Sequence, residues 1–508
     1  MESGTSCHSD RRSETQRSRR SFLELSASAL GASAALPLAG QRGATQERPN
    51  VLFCISDDQS WAHTGATGDP VVKTPAFDRV ADEGVLFTQA YCDAPTCGPS
   101  RSAILTGQSI WRLEEAGNIH STLPSKFATY TEMLEQAGYR VGSTGKAWAP
   151  GRLEPGGRTR NPAGDRSQSF AEFFQQQPAD QPFCFWLGTS DPHRPYELGS
   201  GAQSGKHPGE VVVPPHLPDH SVIRNDILDY YVEVERWDSK VEQAIALLEK
   251  AGRLDNTIVV VTSDHGMPFP RAKASLYDYG SRVPLAISWP QAIPKGRTVD
   301  DFVSLSDMAP TFLEAAGLAV HGDMTARSLL PILASDQSGQ VDPSRDAAFI
   351  AMERHDGCRR GGKGYPCRAI RNQDYLYIRN FEPTRWPSGS PNAADCARGI
   401  PYGEIDRSPT KSFMMENRDD EAVDQLAELA FGTRAEHELY DLRADPGQLR
   451  NIAGEPAAAD HLKALRDRLM TRLADTGDPR ALGTPAPWDF YPYYGRRVNQ
   501  DWAVDEPG

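Results

Sequence analysis

Charged side chains that could bind an anion or a metal follow four separate apolar runs of the sequence. Asp57 and Asp58 come directly after the run at 50–56. A carboxylate pair in that position either forms a turn and helix cap or binds a hard cation. The other three groups are Lys146, Asp191 with His193, and Asp264 with His265. Because the carboxyl ends of parallel strands meet at one edge of a sheet, the sequence predicts a single shared site there.

A cysteine that could act as a nucleophile lies between the first two of these groups. Pro99 suits the first turn of a helix, which would place Arg101 one turn beyond Cys97. A helix N-terminus beside an arginine is a natural site for an anion. From this chemistry alone, an acidic, nucleophilic thiol at Cys97 predicts a cysteine hydrolase, and an inert buried cysteine is the alternative.

The same segment resembles a family motif. Cys97-Gly98-Pro99-Ser100-Arg101, continued by Leu105-Thr106-Gly107, is similar to the C-x-P-S-R motif of the sulfatases with its downstream L-T-G. Further sulfatase-like segments extend over nearly the whole chain after its leader: Ser56-Asp57-Asp58, Thr144-Gly145-Lys146, Asp191-Pro192-His193, Ser263-Asp264-His265-Gly266, Tyr277 to Pro284, Pro310-Thr311 and Glu438 to Leu442. The resemblance implies an α/β, alkaline-phosphatase-like fold and hydrolysis of sulfuric esters or sulfamates.

A narrower resemblance is to the heparan N-sulfatase (N-sulfoglucosamine sulfohydrolase) branch. It rests on Asp191 to Arg194, Met267 to Pro270, Lys273 and Leu276-Tyr277. Two positions depart from the pattern. Trp148 stands where sulfatases often carry a histidine, and His265 stands where this branch has asparagine. The resemblance makes N-sulfoglucosamine groups of heparan type the leading substrate.

The resemblance also implies roles for individual residues. In sulfatases an enzyme oxidises the motif cysteine to formylglycine, whose hydrate is the nucleophile, so Cys97 implies a formylglycine-generating enzyme as a maturation partner. The implied Ca²⁺ ligands are Asp57, Asp58, Asp264, His265 and an oxygen of the modified Cys97. The cations that would neutralise the other sulfate oxygens are Arg101, Lys146 and Lys273. His193 is the candidate general acid for the leaving oxygen or nitrogen.

Two more residues are candidates for contact with a sugar. Trp148 is predicted to form an apolar wall of the sugar pocket, and a buried core position is the alternative. His355 lies early in the C-terminal part of the chain. It either reaches over the pocket or is a surface histidine beside charged neighbours.

The pattern of apolar residues predicts how these groups are positioned. From residue 49 to about 317, short apolar runs alternate with amphipathic patterns, which is typical of a mostly parallel sheet covered by helices on both faces. Strands are predicted at 50–56, 183–187 and 257–262. A core-packing helix is predicted at 225–251.

Beyond about residue 345 the composition of the sequence changes, and Gly-, Arg- and Pro-rich loops are predicted. A strand is predicted at 375–378 and a helix at 461–473, which indicates a smaller α+β domain. We therefore predict a catalytic domain at 45–345 and a C-terminal domain at 346–508.

The first 44 residues resemble a twin-arginine export signal. Arg19-Arg20 precedes Phe22-Leu23, and a small-residue apolar stretch runs over 25–38. An ordinary basic tail is the alternative. The pattern predicts a periplasmic or extracellular protein.

Composition narrows the choice of partners. The 508 residues carry a formal net charge of -14, which excludes a general basic surface for nucleic acid. After residue 40 no apolar run approaches the roughly 18 residues of a membrane helix. Beyond the leader seven cysteines remain, and conversion of Cys97 would leave six. Cys358 and Cys367 are then candidates for a disulfide with each other or with Cys396.

Three other functions fit the same residues. One is an O-sulfatase acting on another sulfated polysaccharide. The second is a phosphoester or phosphonate hydrolase that uses the same scaffold. The third is a saccharide-binding protein in which Cys97 is never modified.

Overall fold

The computed structural model describes residues 48–499 and Trp502. The leader predicted for residues 1–44 lies outside these residues, as does the cleavage that it implies.

Fourteen strands occur in the described residues. In chain order they are β1 (Asn50–Ser56), β2 (Val85–Phe87), β3 (Ala90–Tyr91), β4 (Arg140–Thr144), β5 (Asp165–Arg166), β6 (Phe183–Gly188), β7 (Thr257–Ser263), β8 (Leu285–Ser288), β9 (Arg297–Val299), β10 (Val303–Ser304), β11 (Ala347–Met352), β12 (Cys367–Asn372), β13 (Tyr375–Asn380) and β14 (His437–Asp441).

The α-helices of the same residues connect and cover these strands. They are α1 (Pro75–Asp82), α2 (Cys97–Thr106), α3 (Tyr130–Gln136), α4 (Phe170–Gln175), α5 (Ser200–Gln203), α6 (Ser221–Lys250), α7 (Asp278–Ser281), α8 (Met308–Ala315), α9 (Leu330–Leu333), α10 (Pro409–Glu416), α11 (Glu421–Phe431), α12 (Ala459–Asp475) and α13 (Pro479–Leu482).

The larger sheet has eight strands in the order β5-β4-β6-β1-β7-β8-β2-β9. The five neighbouring strands from β5 to β7 run parallel to one another. Strand β8 runs antiparallel to both β7 and β2. The predicted mostly parallel sheet is therefore confirmed. The three strands predicted from their apolar runs form at the predicted positions, with β6 and β7 each one residue longer.

Both faces of this sheet are buried because alternate residues of the central strand pack into different apolar clusters. On one face Phe53 packs edge-on against Trp186 and Phe312. On the other face Leu52 belongs to a cluster with Trp237 of α6. A strand covered on both faces reads as a continuous apolar run, which is why β1 is recognisable in the sequence.

Helix α6 is the longest element in the described residues, and it packs an apolar face against the sheet. It begins four residues before the predicted helix, at Ser221, where the His220 side chain accepts a hydrogen bond from the Val222 N–H. Its C-terminal half packs against the sheet, whereas Tyr230 and its neighbours pack against Met267 and Phe269 in a separate cluster. The helix thus supports the loop that follows β7.

A second sheet of four antiparallel strands, in the order β11-β12-β13-β14, lies in the C-terminal part. The predicted strand and helix there are confirmed as β13 and α12. The exact domain boundaries stay a prediction; β11 begins at Ala347. None of the helices in the described residues has the length and apolar character needed to cross a membrane.

The seven cysteines of the described residues are all buried thiols. The disulfides considered for Cys358 and Cys367 are therefore absent from the described part of the chain. Cys396 Sγ lies 3.4 Å from the carbonyl oxygen of Cys358, whereas Cys367 belongs to β12 and a different apolar cluster.

Candidate functional site

Four neighbouring strands of the larger sheet deliver the polar groups to one edge. Asp57 and Asp58 follow β1, His193 follows β6, and Asp264 follows β7. Lys146 follows β4 through Gly145, which has a φ of 62°. A Cβ at that glycine would lie 2.1 Å from the Gly188 carbonyl oxygen, so only glycine permits this close crossing.

Helix α2 brings the cysteine to the same edge. It begins at Cys97, and all ten of its residues are buried. Cys97 Sγ lies 3.5 Å from Asp57 Oδ1 and 3.2 Å from His265 Nε2. The helix ends at Gly107, which adopts a left-handed conformation with φ 63°. The Cys and the Gly of the motif therefore mark the two ends of one short helix.

The thiol of Cys97 is not acidic in this setting. Burial raises its pKa well above the usual value, and the Asp57 carboxylate raises it further despite Lys146 nearby. The expectation of an acidic thiol, which rested on the helix N-terminus and Arg101, is therefore wrong. A cysteine hydrolase would need a thiolate that this site disfavours.

Lysines bind two acids of the cluster. Lys146 Nζ donates to both oxygens of Asp57 at 2.6 Å. Lys273 Nζ donates to Asp58 Oδ2 at 2.8 Å. Lys273 is buried, whereas Lys146 is partly exposed. Both lysines have a raised pKa because neighbouring carboxylates outweigh the effect of burial, Asp57 for Lys146 and Asp406 followed by Asp58 for Lys273.

Arg101 contacts the cluster from its buried side. Its Nε donates to Asp264 Oδ2 at 2.8 Å, and the side chain is fully buried. The two Nη groups donate to the carbonyl oxygens of Ser56, Lys146 and Ala147. Because its donors are already engaged, Arg101 fixes the ends of β1 and β4 and contributes its charge at a distance.

The carboxylates of Asp57, Asp58 and Asp264 differ in the direction of their pKa shifts. Burial alone raises the pKa of each of them. For Asp58 and Asp264 the neighbouring cations outweigh burial, so both pKa values lie below normal. For Asp57 burial dominates over Lys146, and its pKa is raised.

His265 and Asp58 face each other inside the cluster. His265 Nδ1–H donates to the Gly266 carbonyl oxygen at 3.1 Å, which leaves Nε2 facing Asp58 and Cys97. That nitrogen lies 3.2 Å from Asp58 Oδ1, a buried oxygen that accepts no hydrogen bond from the described residues. Asp57, Asp58, Cys97 and His265 can converge on one point. Such an arrangement fits a bound cation.

His193 lies at the open side of the cluster. Its Nδ1–H donates to the Arg194 carbonyl oxygen at 2.6 Å, and Nε2 lies 3.9 Å from Asp58 Oδ2. A third of the side chain is exposed. The loop is held by Arg194, whose guanidinium binds both oxygens of Asp226 on α6 at 2.7 and 2.8 Å. His193 Nε2 therefore faces the space that a substrate would enter.

Asp406 completes the cluster and was missed by the sequence analysis. Asp406 Oδ2 accepts a hydrogen bond from Lys273 Nζ at 3.0 Å, and its carboxylate lies near Asp58 and His193. It belongs to the loop before α10, which follows no strand of the larger sheet. Lys411 orders this loop by donating to the carbonyl oxygens of Pro401, Tyr402 and Ile405. No local pattern in the sequence indicates this position.

The two predicted sugar contacts are both buried. Trp148 is 4% exposed, lies in the main apolar cluster and donates its Nε1–H to Ser102 Oγ on α2 at 2.8 Å. This placement favours the core alternative over a pocket wall. His355 is not a surface residue, because it is 5% exposed and its Nδ1 lies 2.7 Å from Thr96 Oγ1, next to Cys97.

Comparison with known proteins agrees with this architecture. Residues 49–318 match the family model described as Sulfatase, and residues 268–386 match the C-terminal model of N-sulphoglucosamine sulphohydrolase. An ulvan-active sulfatase of Formosa agariphila is 26% identical over 91% of this chain and 84% of its own. Human N-sulphoglucosamine sulphohydrolase is 28% identical over 86% of this chain and 92% of its own.

Solved structures share the fold. A protein in complex with its substrate D-glucosamine-2-N,6-O-disulfate has a TM-score of 0.61 at 21% identity, covering 85% of this chain and 99% of that one. A phosphonate monoester hydrolase from Silicibacter pomeroyi has a TM-score of 0.57 at 18% identity, covering 85% and 96%. The sheet and its charged edge are those of an alkaline-phosphatase-like hydrolase. The chain belongs to the sulfatase family.

The position of Asp406 generates a prediction about Lys273. Asp406→Asn removes one of the two carboxylates that hold the Lys273 ammonium group, so we expect kcat to fall by about tenfold or more, since a hydrogen bond to a charged group is worth roughly 1.5–3 kcal/mol. Asp406→Glu should restore part of the loss. The measurement is steady-state kinetics with a sulfate ester.

Asp419→Asn, which alters an exposed acid just after α10, is the matched control and should behave as wild type. Unchanged kcat and KM in Asp406→Asn would show that Asp58 alone is sufficient to hold Lys273.

Proposed function

We propose that this sulfatase removes sulfate or sulfamate groups from a sulfated saccharide, and that N-sulfoglucosamine of heparan type is its leading substrate. The observation that carries the proposal is the start of α2 at Cys97, in contact with Asp57 and His265 at the charged edge of the sheet. The substrate class is supported by the human relative, by the match over 268–386 and by the glucosamine disulfate of the similar solved structure.

The charge of the cluster explains why an anionic substrate needs a metal there. The four acids are Asp57, Asp58, Asp264 and Asp406, and the three cations are Arg101, Lys146 and Lys273. One negative charge is left over, which would repel a sulfate group. A divalent cation would reverse the sign and leave one positive charge.

Ca²⁺ is the cation proposed for this point. The residues that would hold it are Asp57, Asp58, Asp264 and His265, together with an oxygen of the modified Cys97. Carboxylate oxygens suit a hard cation, and the unpartnered Asp58 Oδ1 supplies one of them. When bound, Ca²⁺ supplies positive charge against an oxygen of the sulfate group.

Cys97 is the proposed origin of the nucleophile. Formylglycine at this position supplies, as its hydrate, a hydroxyl group in place of a thiol whose pKa is raised. Lys146 and Lys273, which are held by Asp57 and Asp58 of the same cluster, would bind the sulfate oxygens. Arg101 holds the strand ends so that these groups keep their spacing.

His193 is the proposed general acid. Its Nδ1–H is fixed by the Arg194 carbonyl oxygen, so a proton on Nε2 points towards the open side of the cluster. That proton would pass to the leaving oxygen or nitrogen of the sugar as its bond to sulfur breaks. Trp148, at the position of the missing histidine, is buried and contacts Ser102 instead, which supports the assignment of this role to His193.

We also propose how the chain is matured and exported. A formylglycine-generating enzyme would modify Cys97, and the twin-arginine-type leader would export the protein to the periplasm or the medium. Both rest on sequence resemblance at Cys97 and in residues 1–44.

O-sulfate hydrolysis is the second candidate. It is favoured by a relative named N-acetylglucosamine-6-O-sulfatase from Bacteroides thetaiotaomicron, which is 24% identical over 86% of this chain and 88% of its own. Phosphonate or phosphoester hydrolysis has the support of the fold alone, through the structural likeness to a phosphonate monoester hydrolase.

Defined substrates test the proposed function. We expect sulfate release from N-sulfoglucosamine, with a kcat/KM at least about 100-fold above that for glucosamine 6-O-sulfate, because a site that binds the polar groups of one substrate rejects analogues that lack them. A phenyl phosphonate ester should react more slowly than either. Ion chromatography of released sulfate and phosphonate is the measurement. Preference for the 6-O-sulfate would move the assignment to the second candidate, and preference for the phosphonate would remove the sulfate assignment.

The state of Cys97 is a separate prediction. Peptide mass spectrometry of active protein should show an aldehyde or its hydrate in place of the thiol. Cys97→Ala should lose turnover by on the order of 1000-fold or more, with an unchanged melting temperature, because its small side chain contributes little to the core. Cys92→Ala, which truncates a buried thiol on the same segment, is the matched control and should keep its activity. Full activity with only unmodified cysteine would refute the proposed nucleophile.

The metal is tested through stability as well as activity. Ca²⁺ should raise the melting temperature of chelator-treated wild type, because a ligand that binds only the folded state stabilises it. Asp58→Asn should abolish that shift, whereas Asp180→Asn, at an exposed acid, should keep it. Elemental analysis should find one Ca²⁺ per active chain. Active protein that contains no divalent cation would contradict this site.

A further inference from the structure

A second polar cavity lies away from the catalytic cluster. It has a volume of about 270 Å³ and is lined by Arg327, Arg345, Arg468 and Arg472. Most of its lining comes from residues between Phe302 and Arg345, and β11 and α12 supply the rest together with Asp93 and Ser109. None of the residues that line it belongs to the cluster around Cys97.

Two of the four arginines have carboxylate partners at short range. Arg345 is buried and its Nη1 lies 2.6 Å from Asp307 Oδ2. Arg468 binds both oxygens of Asp346. These two guanidinium groups are therefore neutralised without a ligand.

The other two arginines lack such partners. Arg327 donates to Ser344 Oγ at 2.7 Å and approaches Asp342 only at 3.7 Å. Arg472 donates to the Thr325 carbonyl oxygen at 3.3 Å, and no carboxylate of the described residues lies within ion-pair distance of it. Its Nε is buried and has no hydrogen-bond partner in the described residues. An unsatisfied buried donor is unfavourable and points to a missing acceptor.

The electrostatics of the cavity agree with this geometry. Burial lowers the pKa of Arg472 and the like charge of Arg327 lowers it further, while Asp307, Asp93 and Asp475 offset part of this effect. Burial raises the pKa of Asp93, which also lines the cavity, to about 7. Four arginines and two acids, Asp93 and Asp307, line the cavity, so its lining carries an excess of positive charge that a bound anion would relieve.

The remaining lining suits an oxyanion. Hydroxyl groups of Ser109, Ser304, Ser306, Thr325 and Ser344 surround the arginines. A volume of about 270 Å³ is far above the roughly 15 Å³ that a single water requires, so a tetrahedral ion and water fit together. Guanidinium groups recognise such ions through paired N–H donors.

We propose that this cavity binds a sulfate group between Arg327 and Arg472, at a second site separate from the catalytic cluster. Such a group could be free sulfate, which a sulfatase releases, or a sulfate carried by a saccharide chain. The two sources share one chemistry at the arginines. The proposal does not depend on which saccharide the enzyme cleaves.

Titration calorimetry with sodium sulfate, at constant ionic strength set by chloride, tests the site. The background is Lys146→Ala, which weakens sulfate binding at the catalytic cluster and leaves the cavity intact. We expect one sulfate to bind this variant. Addition of Arg472→Gln should weaken that binding by at least tenfold, and addition of Arg327→Gln should do so independently. Arg466→Gln, on the same helix but outside the cavity, is the matched control.

Arg472→Lys keeps the charge and separates a loss of folding from a loss of binding, and a melting curve of each variant is recorded. Repeating the titration with a heparin-derived disaccharide distinguishes the sources: displacement of sulfate by the disaccharide assigns the site to saccharide chains, and no displacement assigns it to the free ion. The proposal is overturned if no sulfate binds the Lys146→Ala background, or if folded Arg472→Gln and Arg327→Gln bind it as the control does. Failure of the proposed N-sulfatase activity would leave these binding results unchanged.

Discussion

The pairing of buried carboxylates with buried cations at one edge of the sheet is the constraint on which the site depends. Asp57, Asp58 and Asp264 are almost fully buried, and charges removed from water must be compensated by partners at close range. Lys146, Lys273 and Arg101 provide that compensation from three different segments. The ends of β1, β4 and β7 and the start of α2 are thereby fixed relative to one another.

The cations of the site differ in the groups that they bind. Arg101 is committed to backbone carbonyls and Asp264, so it supports the structure. The ammonium groups of Lys146 and Lys273 bind carboxylates of the cluster instead, Lys146 at a partly exposed position and Lys273 at a buried one. One cation therefore fixes backbone segments, and the other two balance the charge of the acids.

Features that follow from local patterns could be predicted from the sequence. The central strands are continuous apolar runs, and the polar residues at their ends are readable because strand order and direction bring those ends together. Cys97 and Arg101 were found through a motif whose spacing is that of one helix. The features that were missed depend on tertiary packing. Asp406 reaches the cluster from a loop of the C-terminal part. No motif encodes burial. Burial raises the pKa of Cys97, which was expected to be low, and it places Trp148 in the core rather than in the pocket wall.

The burial of Cys97 would set an order of events if the proposed modification and export both occur. The side chain is 2% exposed and is the first residue of a fully buried helix. An oxidising enzyme would reach its sulfur before α2 packs against the sheet, so the proposed conversion would precede folding. A twin-arginine pathway carries chains that have already folded. A chain exported by that route would therefore receive its modification in the cytoplasm, and a molecule that folds first would keep its thiol.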